Sequence, residues 1–345
     1  MKAIDDEPRT TADHFVVLDG YVPVIDLTTA RAGSDTDRSA IAATIDTTCR
    51  GSGFLVVTGH GVDPGLIERM HDVTLAFFSL PTEVKQRYQV TPGDPTIRGF
   101  YNTDSYFGAS DDTETAPDLC QMFTMSRTGE PGRASALTLG DFYEQWTAPN
   151  RWPEELPELR SVWLEYYAVL EELSTDLMRL FAIALGLDEY FFDDKIDDHL
   201  TNMAANFYPP VEAEPLPNQY RRGPHSDFGT LTVLYQDDTG GLEVLRRETG
   251  DWLGVPVVAD SFVVNLGDLM EVWTNDRWRS TKHRVRVPPS DKRSIARVSI
   301  PFFHQPNWNA LIECLPSCLG AGEEPVHSPV TSGTYLMRKI QMAYE

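Results

Sequence analysis

The spacing of apolar residues changes character twice along the chain. Near the start, Val22-Pro23-Val24-Ile25-Asp26-Leu27 reads as a short strand, and a polar loop then leads into a helix over about 37–49, where Ile41 and Ile45 stand four apart. Gly53-Phe54-Leu55-Val56-Val57 is a compact apolar strand stopped by Thr58-Gly59-His60-Gly61. Leu66, Met70, Val73, Thr74 and Phe77 recur every three or four residues, which predicts a helix over about 63–78, and Pro81 suits the entry of another short one. Residues 1–20 read as a frayed polar leader, and 93–140 as a long polar excursion with an apolar island at 119–125, the kind of segment that walls or lids a pocket. The strongest helical period spans 153–186, from Leu159 through Trp163, Leu170 and Leu177 to Ala184, with Gly186 as its stop; one face of it should lie on a sheet.

After Leu200 the pattern shifts to short apolar runs and period two: 203–208, 231–235, 241–245, 262–266 and 294–303. Pro-Pro, Asp-Asp-Thr-Gly-Gly and Thr-Asn-Asp clusters separate them, which is turn chemistry. Many short strands between turns predict an antiparallel barrel or jelly roll, closed by a C-terminal helix from Ser332 to about Ala343. No internal repeat is present. The expectation is one compact unit, mainly β with flanking helices, in which an N-terminal α/β region (1–150) packs on a core of support helix, jelly roll and C-terminal helix (151–345).

Composition narrows the partners. With 345 residues, 41% hydrophobic and 10% aromatic, the chain can fill a sizeable core. A formal net charge of −23 repels nucleic acid and anionic lipid, so a small-molecule substrate is expected, with neither nucleic acid nor membrane as partner. Cys49, Cys120, Cys314 and Cys318 lack the spacing of a redox or zinc pair and read as isolated thiols. Without a signal-like apolar stretch or a run of roughly 18 apolar residues, the expected compartment is the cytoplasm and the expected state a monomer.

Of the eight histidines, His225 has an acidic neighbour at the spacing a strand exploits, His225-Ser226-Asp227, since i and i+2 share a face. With a second histidine, His283 at the start of an apparent strand, these residues make the two-histidine, one-carboxylate set that suits Fe(II) and leaves coordination positions open. His-x-Asp alone is weak. Arg297-Val298-Ser299 adds a guanidinium fork and a hydroxyl on one strand face, suited to a carboxylate ligand.

Together, His225-x-Asp227, His283 and Arg297-x-Ser299 resemble the isopenicillin N synthase-like family of Fe(II)/2-oxoglutarate-dependent oxygenases. The resemblance runs over most of the chain, through Gly53-Phe54, Gly59-His60-Gly61-Val62, Arg98-Gly99-Phe100-Tyr101, Pro117-Asp118-Leu119, Asn206-Phe207-Tyr208-Pro209-Pro210, Gly240-Gly241-Leu242 and Asn265-Leu266-Gly267-Asp268. It implies a double-stranded β-helix (jelly-roll, cupin-like) core holding Fe(II) through His225, Asp227 and His283. Arg297 and Ser299 would grip the far carboxylate of 2-oxoglutarate, and Asn206 and Tyr208 would line the co-substrate side. Phe207 and Cys120-Gln121 depart from the commoner residues at those places, and no role is carried over to the latter.

The implied activity is an O2-dependent oxidation of an unactivated C–H bond of a small molecule, by hydroxylation, desaturation or cyclisation, with release of succinate and CO2. Specialised metabolism, including antibiotic biosynthesis, is the expected setting. The alternatives are an isopenicillin N synthase-like oxidase that needs no 2-oxo acid, and a catalytically silent small-molecule-binding relative. Among other residues, His60 reads as a core or capping histidine and Gly267-Asp268 as a turn. His304 reads as packing rather than a substrate contact, Tyr101, Tyr106 and Phe107 are candidates for a lid, and Trp273 and Trp278 read as rim packing around His283.

Overall fold

The computed structural model describes residues 15–18, 21–90, 98–103, 116–211 and 213–344. In chain order its principal strands are β1 (Phe15–Leu18), β2 (Val22–Asp26), β3 (Phe54–Thr58), β4 (Gly99–Tyr101), β5 (Gln121–Ser126), β6 (Asn202–Tyr208), β7 (Arg222–His225), β8 (Leu231–Gln236), β9 (Leu242–Arg246), β10 (Asp251–Gly254), β11 (Phe262–Leu266), β12 (His283–Val285) and β13 (Arg297–His304). Nine of them form a large sheet in the order β1-β2-β3-β11-β8-β13-β6-β5-β4, and four form a smaller sheet, β10-β9-β12-β7. Phe54, Val56, Val263 and Tyr208 of the large sheet pack with Leu242, Val244 and Val285 of the small one in a shared apolar layer. This is the jelly-roll core that the strand-rich second half of the sequence predicts.

The other face of the large sheet carries the helix Pro157–Ala184. Tyr167 of that helix meets Phe302 of β13 edge-on at 4.8 Å and donates its hydroxyl to the Thr201 carbonyl at 2.9 Å. Gly186 ends the helix with φ +70°: its amide donates to Ile183 O at 3.0 Å, and the Leu187 amide to Ala182 O at 2.9 Å. The helix Pro64–Phe78 starts where expected because the Asp63 side chain accepts from the Gly65 amide at 3.0 Å and Pro64 is preset for the first turn. The N-terminal strands join the same sheet as the C-terminal ones, with Phe54 of β3 opposite Asn265 of β11.

Five expectations change. Residues 15–18 of the expected leader are the strand β1, paired antiparallel with β2. The excursion 93–140 contains two strands of the large sheet, β4 and β5, and β5 pairs with β6 over its whole length. Gly267-Asp268 is not a simple turn but the start of the helix Asp268–Trp273, with Gly267 as its extended cap. Trp273 and Trp278 are no rim residues: they are 1% and 0% exposed in the core, where the Trp278 indole N–H donates to Asp46 at 2.7 Å. Asp227 lies beyond the end of β7, so it and His225 do not share a strand face. Tyr106 and Phe107, named above for a lid, lie outside the described residues, as do 1–14 and 19–20 of the expected leader.

Candidate metal centre and co-substrate pocket

His225 closes β7, His283 opens β12, and the two stand opposite each other in the antiparallel pair, with ring centroids 4.3 Å apart. Each imidazole directs Nδ1 at a carbonyl: His225 at Gly223 O (2.8 Å) and His283 at Thr281 O (3.2 Å). A carbonyl only accepts, so the proton sits on Nδ1 and the Nε2 lone pair is free. Both Nε2 atoms turn toward Asp227 Oδ1, at 4.0 and 3.8 Å. The His225 imidazole is held well below the ordinary histidine value, first by burial and then by His283 and Arg222. It is therefore neutral near pH 7, the form that binds metal.

The second oxygen of Asp227 is fixed from behind. Its Oδ2 accepts from Thr232 Oγ1 of β8 at 2.5 Å and from Asn265 Nδ2 of β11 at 2.7 Å. The loop between β7 and β8 is held just as closely: the Asp268 amide donates to Asp227 O at 2.8 Å. A Cβ on Gly267 would fall 2.2 Å from Gly229 O, and one on Gly229 2.2 Å from His304 O. Only glycine fits at these two contacts. A turn clamped by two glycines thus does what strand alternation was expected to do.

Three lone-pair-bearing atoms, from His225, Asp227 and His283, lie within 4.8 Å of one another, and among the described residues they form the group able to hold a metal ion. No proton lies between them in this tautomer, so their mutual repulsion is relieved by a cation. Two imidazoles and one carboxylate fit a divalent ion of Fe(II) type.

Strand register places the residues expected at the co-substrate on one surface. Arg297 of β13 is opposite Tyr208 of β6, and Ser299 is opposite Asn206 on one side and Gln236 of β8 on the other. Directly paired residues share a face, so all five side chains line the interior of the roll beyond the metal site. Arg297 is 0% exposed, donates from Nη1 to Ser299 Oγ at 3.0 Å and from Nη2 to Gln236 Oε1 at 3.4 Å, and lies 5.0 Å from the Tyr208 ring centroid. Its Nε has no acceptor among the described residues. A fully buried guanidinium with a neutral hydroxyl and a neutral amide for neighbours fits an incoming carboxylate. Burial, with Cys120 beside it, pushes the Tyr208 hydroxyl up to about 12, against the pull of Arg297.

All seven residues singled out in the sequence stand at this site. Thr232, Asn265 and Gln236 were missed, although the first two are polar residues inside apolar strands, which is a readable sign of a buried partner. His304 lies on the outer face of β13, 1% exposed, with Nδ1 against Thr230 Oγ1 at 2.7 Å and its ring 5.4 Å from that of His199, as packing demands. His60 is a capping residue, its Nδ1 accepting from the Val62 amide at 3.2 Å and its Nε2 facing Asp260 O at 3.1 Å.

Residues 200–306 match the model of the 2OG-Fe(II) oxygenase superfamily, and residues 22–155 match that of the N-terminal region of a non-haem dioxygenase in morphine synthesis. A validamycin A dioxygenase of Streptomyces hygroscopicus subsp. limoneus is 35% identical, covering 94% of this chain and 87% of that one. A homoarginine-6-hydroxylase of Arabidopsis thaliana is 29% identical, covering 89% and 90%. The crystal structure of a full-length Neurospora crassa protein in complex with alpha-KG and thymine superimposes with a TM-score of 0.81 at 28% identity, covering 94% of this chain and 98% of that one. Across nearly its whole length, then, the chain belongs to the 2OG-Fe(II) oxygenase superfamily: it is a dioxygenase of small molecules that uses Fe(II), 2-oxoglutarate and O2.

Proposed function

We propose that His225, Asp227 and His283 hold the Fe(II), and that Arg297 and Ser299, with Asn206 and Tyr208 beside them, hold the 2-oxoglutarate. The observation that carries the assignment is a pair of charge-demanding groups in the roll: three converging lone pairs at one end and, at the other, a buried guanidinium with no ion-pair partner among the described residues. A bound divalent ion would balance Asp227 and the near carboxylate of the 2-oxo acid, and Arg297 would balance the far one. The charges at both ends then match those of the 2-oxoglutarate dianion. Bound there, the iron with its co-substrates supplies the oxidising power to break an unactivated C–H bond, releasing succinate and CO2.

The protein contributes aim. Thr232 and Asn265 keep Asp227 turned toward the histidines, the Gly223 and Thr281 carbonyls keep Nδ1 protonated, and the apolar layer between the sheets excludes water from the far carboxylate. Support for specialised or antibiotic metabolism comes from the validamycin A dioxygenase, and the reaction is hydroxylation, desaturation or cyclisation. Buried Arg297 also suits the carboxylate of a substrate, as an oxidase without 2-oxo acid would use it, but the relatives favour the 2-oxoglutarate reading. The test is a panel of candidate substrates incubated with the Fe(II) protein, with succinate release and product mass followed together. Product formation that proceeds without any 2-oxo acid would overturn the proposal.

A further inference from the structure

A second buried arginine is tied to the chain just ahead of β13. Arg221, just ahead of β7, is 1% exposed. Its Nη2 donates to the Ile295 carbonyl at 2.6 Å, which ties it to the chain two residues before Arg297. Among the described residues its Nε has no acceptor, as is also true of Arg297 Nε. Neither arginine forms an ion pair among the described residues. Burial and then the charge of Arg297 disfavour the protonated Arg221 side chain, against the opposing pull of Tyr208, Asp237 and Cys120, so the two guanidiniums lie within electrostatic reach of each other. Asp237, which accepts from the Val298 amide at 2.6 Å and the Thr239 amide at 3.0 Å, acts on Arg221 through space but makes no ion pair with it. Arg222, next in sequence, is 3.7 Å from the Asp118 carboxylate and so has its own counter-charge.

Two like charges buried together destabilise one another, and each also loses hydration. Among the described residues Arg221 spends one donor on the Ile295 carbonyl and none on a side chain. An anion entering the pocket relieves both groups at once. We infer that Arg221 is a second binding residue for the far carboxylate of the 2-oxo acid, acting with Arg297 as a two-guanidinium anion well. The inference rests on the proposed function and extends it. Arg297 with Ser299 supplies the directed grip, while Arg221 supplies charge and an unspent N–H. The pair thereby selects a dicarboxylic 2-oxo acid over a monocarboxylic one of similar length.

The test uses the full-length Fe(II) protein without O2, titrated separately with 2-oxoglutarate and with 2-oxobutanoate, which offers the same chelating group but no far carboxylate. Binding is read from the visible charge-transfer band. Arg221→Met keeps the length and removes the charge, so the affinity for 2-oxoglutarate should fall at least about tenfold while that for 2-oxobutanoate stays within about twofold. Arg221→Lys should restore part of the loss. A purely structural role would weaken both acids alike, and that result, or an unchanged 2-oxoglutarate affinity, overturns the inference. Should Arg221→Met fail to fold, Arg221→Lys decides: a loss confined to 2-oxoglutarate supports the role, and an equal effect on both acids, or none, refutes it. If wild-type protein with iron bound takes up neither acid, the proposed function itself fails, which is a different result from wild-type binding with an indifferent Arg221.

Discussion

Thr232→Val tests whether the groups behind Asp227 set the metal affinity. Valine has nearly the shape of threonine and β8 favours it, so the main loss is one hydrogen bond, Oγ1 to Asp227 Oδ2 at 2.5 Å. A buried bond from a hydroxyl to a carboxylate contributes about 1.5–3 kcal/mol. Asn265 still donates to the same oxygen at 2.7 Å, so the carboxylate is not stranded, but it gains freedom to turn away from His225 and His283. Loss of one such outer partner lowers metal affinity roughly 10- to 100-fold, or about 1.4–2.8 kcal/mol, the same size as the bond removed. The assay is anaerobic competition for Fe(II) against a chelator of known strength, with thermal melting as the control for folding. Fe(II) affinity within about twofold of wild type would show that Thr232 does not orient Asp227, and would refute the reasoning.

Asp227→Ala should abolish succinate release, because it removes the only anion among the proposed ligands, while leaving the fold intact by circular dichroism; near-normal iron affinity and turnover in this variant would remove Asp227 from the triad. Arg297→Lys keeps charge but loses the fork, so 2-oxoglutarate affinity should fall at least about tenfold at saturating iron, with Fe(II) affinity little changed. His304 is held well below the ordinary histidine value by burial and then by His199, so it stays neutral in the fold. Below the unfolded value of about 6.5 the unfolded chain takes up a proton that the folded chain refuses, and stability falls as pH drops by up to about 1.4 kcal/mol per unit from this residue. Urea midpoints between about pH 7 and 5 should show that loss in wild type, and His304→Gln, which keeps an acceptor for Thr230, should flatten it by about one proton.

The strands of the roll are legible because their partners impose period two on local sequence, and Arg297 and Ser299 fall on one face of β13 for that reason. β5 was not legible as a strand: Gln121-Met-Phe-Thr-Met-Ser lies in a stretch rich in turn residues, and its partner β6 is about 80 residues away, so pairing rather than propensity decides it. The helix after Gly267 was hidden by the same dipeptide that caps it, since Gly-Asp also opens turns. At the site, residue types were readable but their support was not. His225 and Asp227 read as neighbours on a strand only when the end of β7 is unknown; the turn that sets Asp227 depends on Gly229 and Gly267 meeting across 38 residues of chain. Arg221 looks like a surface charge until the Ile295 carbonyl and the wall of the roll enclose it.

The central claim is that one pocket of this chain holds iron at His225, Asp227 and His283 and a 2-oxo acid at Arg297. Its most direct test is an anaerobic titration of the Fe(II)-loaded protein with 2-oxoglutarate, followed by the visible charge-transfer band that bidentate chelation produces, in wild type and in His283→Ala. Wild type should give a band saturating at one 2-oxoglutarate per chain, and the variant should lose it. Iron-loaded wild type that gives no band, or a His283→Ala protein that gives the wild-type band at the same affinity, would contradict it.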